Sequence, residues 1–156
     1  MAKIKLLIMD VDGTLTDGKI YTSANGEIMK AFNVKDGYGI AQILPRINVT
    51  PVIITGRKSE IVEKRVFELG IKHVYQGISD KLAMLKTVAA EMSACADEIA
   101  YIGDDLNDLE CIEFCGFTAC PADAVTDVVR EVDYICSING GCGAVREVID
   151  YIAEMK

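Results

Sequence analysis

Short apolar runs alternate along this chain with segments in which apolar residues recur at spacings of three and four. The first run, residues 3–10, is nearly continuous in aliphatic side chains, which is typical of a strand buried on both faces. Similar runs follow at residues 50–55, 72–76, 98–103 and 117–120, with a shorter one at 134–135. The pattern predicts five strands and a short sixth.

The segments between these runs have the pattern of amphipathic helices. Ser59 is placed to cap a helix that ends near Gly70, and Ser79 is placed to cap the next one. The apolar residues that share the inner faces of these two helices and of the last helix are Ile61, Val62, Val66, Leu69, Leu82, Leu85, Val88, Met92, Ala144, Val145, Val148, Ile149 and Ile152. Strand–helix alternation predicts an α/β fold: a three-layer, doubly wound parallel sheet with helices on both faces.

One segment interrupts this alternation. Residues 18–33 contain two β-like arms around Ala24-Asn25-Gly26, and an Asn-Gly pair between strand-forming residues is a strong signal for a hairpin. The segment follows the first strand directly. We therefore expect a small hairpin flap above the C-terminal end of that strand.

Length and composition favour one globular domain over residues 1–156. Hydrophobic residues make up 51% of the chain and charged residues 26%. The net charge is −8 and no cluster of Lys and Arg occurs, which argues against a nucleic-acid partner. No apolar run approaches the roughly 20 residues that span a bilayer, so no membrane partner is expected.

The first apolar run indicates a cytoplasmic protein, in which the cysteines would be reduced. The run ends in Asp10-Val11-Asp12 without the small-residue site at which signal peptides are cleaved. The six cysteines form no C-x-x-C pair, and the single His73 gives little support for zinc. We interpret Cys111 and Cys115, four apart on a predicted helix, as reduced core residues.

Reactive side chains follow three of the predicted strands and begin one helix. The motifs are Asp10-Val11-Asp12-Gly13-Thr14, Thr55-Gly56-Arg57, Lys81 at a helix start, and Gly103-Asp104-Asp105-Leu106-Asn107-Asp108. Each motif alone is weak, since an Asp-Gly pair is usually a turn and acidic residues are favourable at any helix start. In open α/β sheets, however, sites form beyond the C-terminal ends of the strands. Five carboxylates at one such edge would repel one another without a cation, which predicts a bound metal ion.

These motifs, in this order, resemble those of the haloacid dehalogenase superfamily of phosphatases, and the resemblance covers nearly the whole chain. It implies a Rossmann-like fold in which Asp10 is the nucleophile that forms a phosphoaspartate intermediate. Asp12 would be the general acid for the leaving oxygen and then the base for water. The implied metal is Mg²⁺, held by Asp10, Asp104 and the backbone carbonyl of Asp12.

The resemblance also implies the residues around the phosphate. Thr55 would hold a phosphate oxygen through its hydroxyl and the next amide, and Lys81 would neutralise charge on the phosphoryl group. Asp105 and Asp108 would orient ligands or waters; a plain helix-start charge is the alternative for Asp108. The implied substrate-binding set is Thr55, Gly56, Arg57, Lys81 and Asn107.

Within the superfamily the chain looks most like the 3-deoxy-D-manno-octulosonate 8-phosphate phosphatases. The matching stretches are residues 16–18, 32–37, 54–57, 75–77, 80–81 and 140–147. Between Gly13 and Thr50 there is room only for the hairpin and one helix, so no cap domain is expected. The resemblance implies a cytoplasmic homotetramer of lipopolysaccharide biosynthesis, with each hairpin reaching a neighbouring subunit's site. The implied substrate is a small phosphorylated sugar acid, whose carboxylate Arg57 would meet.

Other functions stay open at this stage. The substrate could be a nine-carbon 2-keto-3-deoxy sugar acid 9-phosphate or another small phosphometabolite. The chain could also be a non-catalytic tetramerising module of the same fold, against which stands the presence of Asp10, Asp12, Lys81 and Asp104. A receiver domain of a signalling system is disfavoured, because Gln76-Gly77 stands where its phosphoacceptor aspartate would end the third strand.

Overall fold

The computed structural model describes residues 3–155, and its centre is a sheet of parallel strands. The strands of this part of the chain are β1 (Leu6–Met9), β2 (Tyr21–Ser23), β3 (Gly26–Met29), β4 (Thr50–Ile54), β5 (His73–Tyr75), β6 (Ile99–Ile102), β7 (Phe117–Cys120) and β8 (Tyr134–Ile135). Six of them form one sheet in the order β5-β4-β1-β6-β7-β8. The six strands predicted for this sheet are confirmed. Strands β1, β4, β5 and β6 are somewhat shorter than the apolar runs that indicated them.

Two helical layers cover the sheet. One contains α1 (Val34–Tyr38), α2 (Leu44–Arg46), α3 (Glu60–Glu68) and α7 (Ala144–Glu154); the other contains α4 (Lys81–Glu91), α5 (Leu109–Phe114) and α6 (Thr126–Glu131). Along β1, Leu7 and Met9 pack with the first layer, and Leu6 and Ile8 pack with the second. All four are buried, which explains the nearly continuous apolar run and confirms the three-layer fold. Among the helices of residues 3–155, none has the length and apolar character to span a bilayer.

The two predicted helix caps have different outcomes. The Ser59 hydroxyl oxygen accepts a hydrogen bond from the Val62 N–H at 3.3 Å, so Ser59 caps α3 as predicted. The prediction that Ser79 caps α4 is wrong. Because α4 begins at Lys81, the cap falls on Asp80, whose carboxylate accepts a hydrogen bond from the Ala83 N–H at 2.8 Å.

The connections reverse direction beside β1. The chain leaves β1 for β4 and β5 on one side, and then returns to β6, β7 and β8 on the other side. Loops that leave neighbouring strands on either side of such a reversal border a crevice at the C-terminal edge of the sheet. The loops that carry Asp10, Thr55 and Asp104 therefore lie side by side.

Strands β2 and β3 pair in antiparallel fashion as the expected hairpin. The turn falls at Ala24 and Asn25, and Gly26 follows with a φ of +110°, a left-handed value that favours glycine. One helical segment connects the hairpin to β4, with a π-helical turn (Gly39–Ile43) joining α1 to α2. The described residues between β1 and β4 thus form a flap and a helical connection, as expected of a chain without a cap domain.

The cysteines are free thiols, and Cys111, Cys120 and Cys136 are buried. Burial raises the pKa of the Cys111 thiol to about 12, so this side chain is uncharged at neutral pH. Cys115 is partly buried and packs against the same hydrophobic cluster as Cys111. These positions fit the interpretation of the pair as reduced core residues.

Candidate active site

Three carboxylates gather where the loops after β1 and β6 meet. One oxygen from each of Asp10, Asp104 and Asp108 lies within 4.8 Å of the other two. The backbone N–H of Asp10 donates to the Ile102 carbonyl oxygen at 3.1 Å, which fixes the first loop against the end of β6. Asp10 is 5% exposed and Asp108 is fully buried. The cluster is smaller than the five carboxylates expected from the sequence.

The ammonium group of Lys81 lies between two of these carboxylates. Its Nζ is 3.1 Å from Oδ1 of Asp10 and 2.7 Å from Oδ1 of Asp108, and the residue is buried. Burial by itself would lower the pKa of Lys81, but the charges of Asp10 and Asp108 outweigh this effect and raise it. Lys81 is therefore a fixed cation beside the predicted nucleophile.

Burial and mutual repulsion oppose full ionisation of the cluster. Burial, followed by the charge of Asp108, raises the pKa of Asp10 to about 6, although Lys81 pulls it down. Burial, followed by the charges of Asp10 and Asp108, raises the pKa of Asp104 to about 7. Lys81 alone does not balance three carboxylates of which two are buried and the third, Asp104, is partly buried, so the cluster favours the binding of a further cation.

Asp108 holds its neighbours in place. Its Oδ1 accepts hydrogen bonds from Lys81 Nζ at 2.7 Å and from the Tyr101 hydroxyl at 2.5 Å. Its Oδ2 accepts hydrogen bonds from the backbone N–H groups of Asp104 and Asp105 at 2.9 and 3.2 Å. Each oxygen therefore already has two donors. This is the arrangement expected of a residue that orients the site without binding the ion.

A glycine makes the approach of the two loops feasible. Gly13 has a φ of +90°, and a Cβ added there would lie 1.9 Å from Oδ2 of Asp104. The Asp104 carboxylate thus occupies the space that a side chain at position 13 would fill. Its other oxygen, Oδ1, accepts a hydrogen bond from the Thr14 hydroxyl at 3.3 Å. This close contact requires a glycine at position 13, so the Asp12-Gly13 pair of the first motif does more than form a turn.

Asp12 lies outside the cluster, and its carboxylate contacts the hairpin. Lys30, which directly follows β3, has its Nζ 2.5 Å from Oδ1 of Asp12 and 3.0 Å from Oε1 of Glu27. The sequence interpretation missed Lys30 and Glu27, and it also missed Tyr101. No local pattern marks a lysine at the end of a hairpin as functional, and Tyr101 lies within an apolar strand where a core role is the default.

The predicted phosphate-binding residues lie around the same edge. Thr55 directly follows β4 and is 2% exposed. A Cβ added to Gly56 would lie 3.8 Å from Nδ2 of Asn107, so the loops after β4 and β6 meet at these two residues. Arg57 is exposed, and its charge helps to lower the pKa of Glu27. Asp105 is exposed, and its carboxylate accepts a hydrogen bond from the Leu106 N–H at 2.7 Å, which leaves it outside the cluster.

The donor set fits Mg²⁺. The ion prefers hard oxygen ligands and is usually held by one or two carboxylates together with waters and phosphate oxygens. Asp10 and Asp104 supply two carboxylates. Their pKa values are raised in the fold, and a bound divalent cation would lower them. A buried aspartate beside a fixed lysine, with an oxygen-only cation site at the strand ends of a parallel sheet, defines a metal-dependent phosphoryl-transfer enzyme of the α/β class.

Comparison with known proteins gives the family. Residues 72–149 match the family model of haloacid dehalogenase-like hydrolases. The 3-deoxy-D-manno-octulosonate 8-phosphate phosphatase KdsC of Salmonella typhi is 48% identical over 149 residues, which cover 96% of this chain and 79% of that protein. The chain belongs to the haloacid dehalogenase-like hydrolase family, as the sequence motifs predicted.

Solved structures agree with this assignment. The 3-deoxy-D-manno-octulosonate 8-phosphate phosphatase of Yersinia pestis has a TM-score of 0.94 at 45% identity and covers 99% of this chain and 84% of its own. The enzyme of Moraxella catarrhalis, solved with a magnesium ion, a phosphate ion and a KDO molecule, has a TM-score of 0.94 at 42% identity. It covers 99% of this chain and 88% of its own.

Proposed function

We propose that the chain is a magnesium-dependent phosphomonoester hydrolase that cleaves 3-deoxy-D-manno-octulosonate 8-phosphate through an aspartyl phosphate on Asp10. The observation that carries the proposal is the buried contact, 3.1 Å long, between Asp10 and the Lys81 ammonium group. This contact supports the proposal, because the carboxylate of the proposed nucleophile lies beside a buried cation. The proposed catalytic unit is one domain, residues 1–156.

Asp10 acts as the nucleophile. Its carboxylate oxygen attacks phosphorus in line, and the acyl phosphate that forms divides one difficult hydrolysis into two easier steps. Lys81 stabilises the negative charge of the phosphoryl group during the transfer. Asp10, Asp104 and the backbone carbonyl of Asp12 would hold Mg²⁺, which when bound supplies positive charge to the phosphate oxygens.

Asp12 handles the proton. Its side chain is 20% exposed, so it can face the crevice while one oxygen remains bound to Lys30. It donates a proton to the departing sugar oxygen and then accepts one from the water that hydrolyses the acyl phosphate. Such general acid–base assistance contributes about 10²–10⁴-fold to the rate.

The residues around Thr55 bind the substrate. The Thr55 hydroxyl and the Gly56 amide hold phosphate oxygens, and Asn107 closes this side of the pocket next to Gly56. Arg57 is exposed at the mouth of the crevice and binds the sugar acid carboxylate. Asp105 orients waters at the rim. The relatives named above support an eight-carbon sugar acid; the nine-carbon 9-phosphate is the second candidate substrate.

The test is a magnesium-dependent assay on a panel of phosphorylated sugars that includes the eight- and nine-carbon keto acids. We expect the highest kcat/KM for 3-deoxy-D-manno-octulosonate 8-phosphate and no turnover by Asp10→Asn. Asp127→Asn, an exposed aspartate at the start of α6, is the matched control and should keep full activity. Turnover by Asp10→Asn would exclude Asp10 as the nucleophile. An inactive wild-type protein with the fold intact would favour the non-catalytic module.

We also propose that the chain assembles as a homotetramer through the hairpin. Ile20, Ile28 and Met29 are 44%, 58% and 48% exposed on or beside the hairpin strands. Three exposed apolar side chains on so small an element favour its burial against another chain. In such an assembly the hairpin would also border a neighbouring subunit's crevice.

A cytoplasmic location is part of the proposal. All six cysteines are free thiols, including the exposed Cys95 and Cys142. Thiols of this kind persist in reducing compartments. Comparing activity in the cytoplasmic and periplasmic fractions of an expressing bacterium would test the location.

A further inference from the structure

A buried lysine connects the hairpin to the loop after β1. The Lys30 side chain is 2% exposed, and its Nζ contacts Oδ1 of Asp12 at 2.5 Å and Oε1 of Glu27 at 3.0 Å. A buried ammonium group is unfavourable unless it is paired and hydrogen-bonded. Two carboxylates, each about one-fifth exposed, satisfy it here.

A second contact fixes Glu27 to the loop after β4. Oε2 of Glu27 accepts a hydrogen bond from the Ser59 hydroxyl at 2.5 Å, and the same hydroxyl oxygen caps α3. The chain of contacts therefore runs from Asp12 through Lys30 and Glu27 to Ser59. It joins the two loops that carry Asp12 and Thr55 by way of the hairpin.

We infer that Lys30 is a positioning residue for the acid–base step, which it serves by holding the Asp12 carboxyl group in one orientation. The inference rests on the proposed function. Because Lys30 occupies Oδ1, the other oxygen of Asp12 is left for proton transfer. Glu27 forms a second ion pair with Lys30. The Lys30 ammonium group is therefore held in place by two carboxylates and does not depend on Asp12 alone.

The step that Lys30 supports is balanced in atoms and charge. As the Asp10 oxygen bonds to phosphorus and the bond from phosphorus to the sugar oxygen breaks, the proton on Asp12 passes to that sugar oxygen, which leaves as an alcohol. Water then attacks the acyl phosphate, Asp12 takes the proton of this water, and Asp10 and inorganic phosphate are released. An alcohol needs the proton in order to leave, whereas a stabilised phenolate does not.

This difference supplies the test. We would measure kcat/KM, which reports on the formation of the acyl phosphate, for the sugar acid phosphate and for para-nitrophenyl phosphate. Lys30→Met should lower the value for the sugar substrate about 10²-fold and the value for the aryl substrate less than about threefold. Lys30→Arg, which keeps the charge and the donors, should restore much of the loss. Lys19→Met is the matched control, since Lys19 is an exposed lysine beside the hairpin whose ion pair, within residues 3–155, is with Asp17.

Two further variants separate positioning from folding. In an Asp12→Asn background, Lys30→Met should change neither kcat/KM value further, because Lys30 acts through Asp12. Glu27→Gln keeps Lys30 in the chain but removes the charge that anchors its ammonium group, and it should lower the sugar value alone, by a smaller factor. Thermal unfolding of each variant shows whether the fold is retained.

Each outcome has a distinct meaning. An equal loss on both substrates would show that Lys30 binds phosphate or orders the hairpin, and would overturn the inference. No loss in Lys30→Met would do the same. A wild-type protein inactive on both substrates would instead refute the proposed function, and the Lys30 inference with it.

Discussion

Replacement of Asp108 by Asn tests whether this residue organises the candidate site. Asp108 is fully buried, and its two oxygens accept four hydrogen bonds, two each. An asparagine has the same shape but only one acceptor oxygen, and its amide group can only donate at the other position. In either orientation the new amide therefore faces two donors.

The expected loss follows from this geometry. A hydrogen bond to a charged group contributes about 1.5–3 kcal/mol, so two lost bonds correspond to roughly 3–6 kcal/mol. The Tyr101 hydroxyl can turn to accept a hydrogen bond from the amide, which favours the orientation that keeps the oxygen on the backbone N–H groups of Asp104 and Asp105. Lys81 then keeps its contact with Asp10 alone. We expect Asp108→Asn to lower the free energy of unfolding by about 3 kcal/mol.

The measurement is urea unfolding at pH 8 with a chelator present, so that metal binding does not enter the comparison. Asp105→Asn is the matched control: Asp105 is one turn away and exposed, and an amide oxygen can keep its hydrogen bond to the Leu106 N–H. The control should lie within about 0.5 kcal/mol of the wild type. If Asp108→Asn is as stable as Asp105→Asn, Asp108 does not organise the site in the way that the hydrogen bonds indicate.

Two other predictions concern a buried carboxylate and the hairpin. Asp36 is 1% exposed, and burial raises its pKa from 3.8 to about 6 in the fold. The contribution of the protonated carboxyl group to folding stability is therefore complete below about pH 4 and is lost as the pH rises through about 6. The stability of Asp36→Asn relative to the wild type should therefore increase by up to about 3 kcal/mol between pH 4 and pH 8 in urea titrations, and a pH-independent difference would contradict the shift. Ile28→Asp places a charge on an exposed apolar position of the hairpin, and light scattering should show a 17.0 kDa monomer in place of a species of four times that mass. A monomeric wild type would refute the proposed assembly.

The sequence predicted the fold well because its strands are buried on both faces. Leu6 to Met9 are apolar without interruption, since successive side chains enter two different helical layers. The Asn25-Gly26 pair likewise located the hairpin turn, because Gly26 has a left-handed φ that few residues other than glycine adopt. Boundaries were less accurate: Ser79 and Asp80 are adjacent and both residue types are good caps, so the sequence did not decide where α4 begins.

The candidate site was predicted in its parts but not in its connections. Asp10, Lys81 and Asp104 meet because the order of the strands in the sheet brings their loops together. The order of the motifs along the chain was enough to predict this meeting. The roles of Lys30, Glu27 and Tyr101 could not be predicted, because they depend on side chains from a hairpin and from a core strand reaching the crevice. No periodicity or spacing encodes such contacts.

The charges around the crevice give a further reason to expect a divalent ion. The charged side chains here form two groups: Asp10, Asp104 and Asp108 lie around Lys81, whereas Asp12 and Glu27 are paired with Lys30, and the charge of Arg57 also acts on Glu27. With all five carboxylates ionised against these three cations, the formal excess is two negative charges, which one Mg²⁺ balances. The remaining charges of this acidic chain matter less, because physiological salt screens exposed groups beyond about 8 Å. Without the ion, a phosphate group would be repelled by the negative charge of the crevice, because Lys30 and Lys81 are already paired with carboxylates. With the ion bound, this repulsion is balanced and the phosphate group can bind.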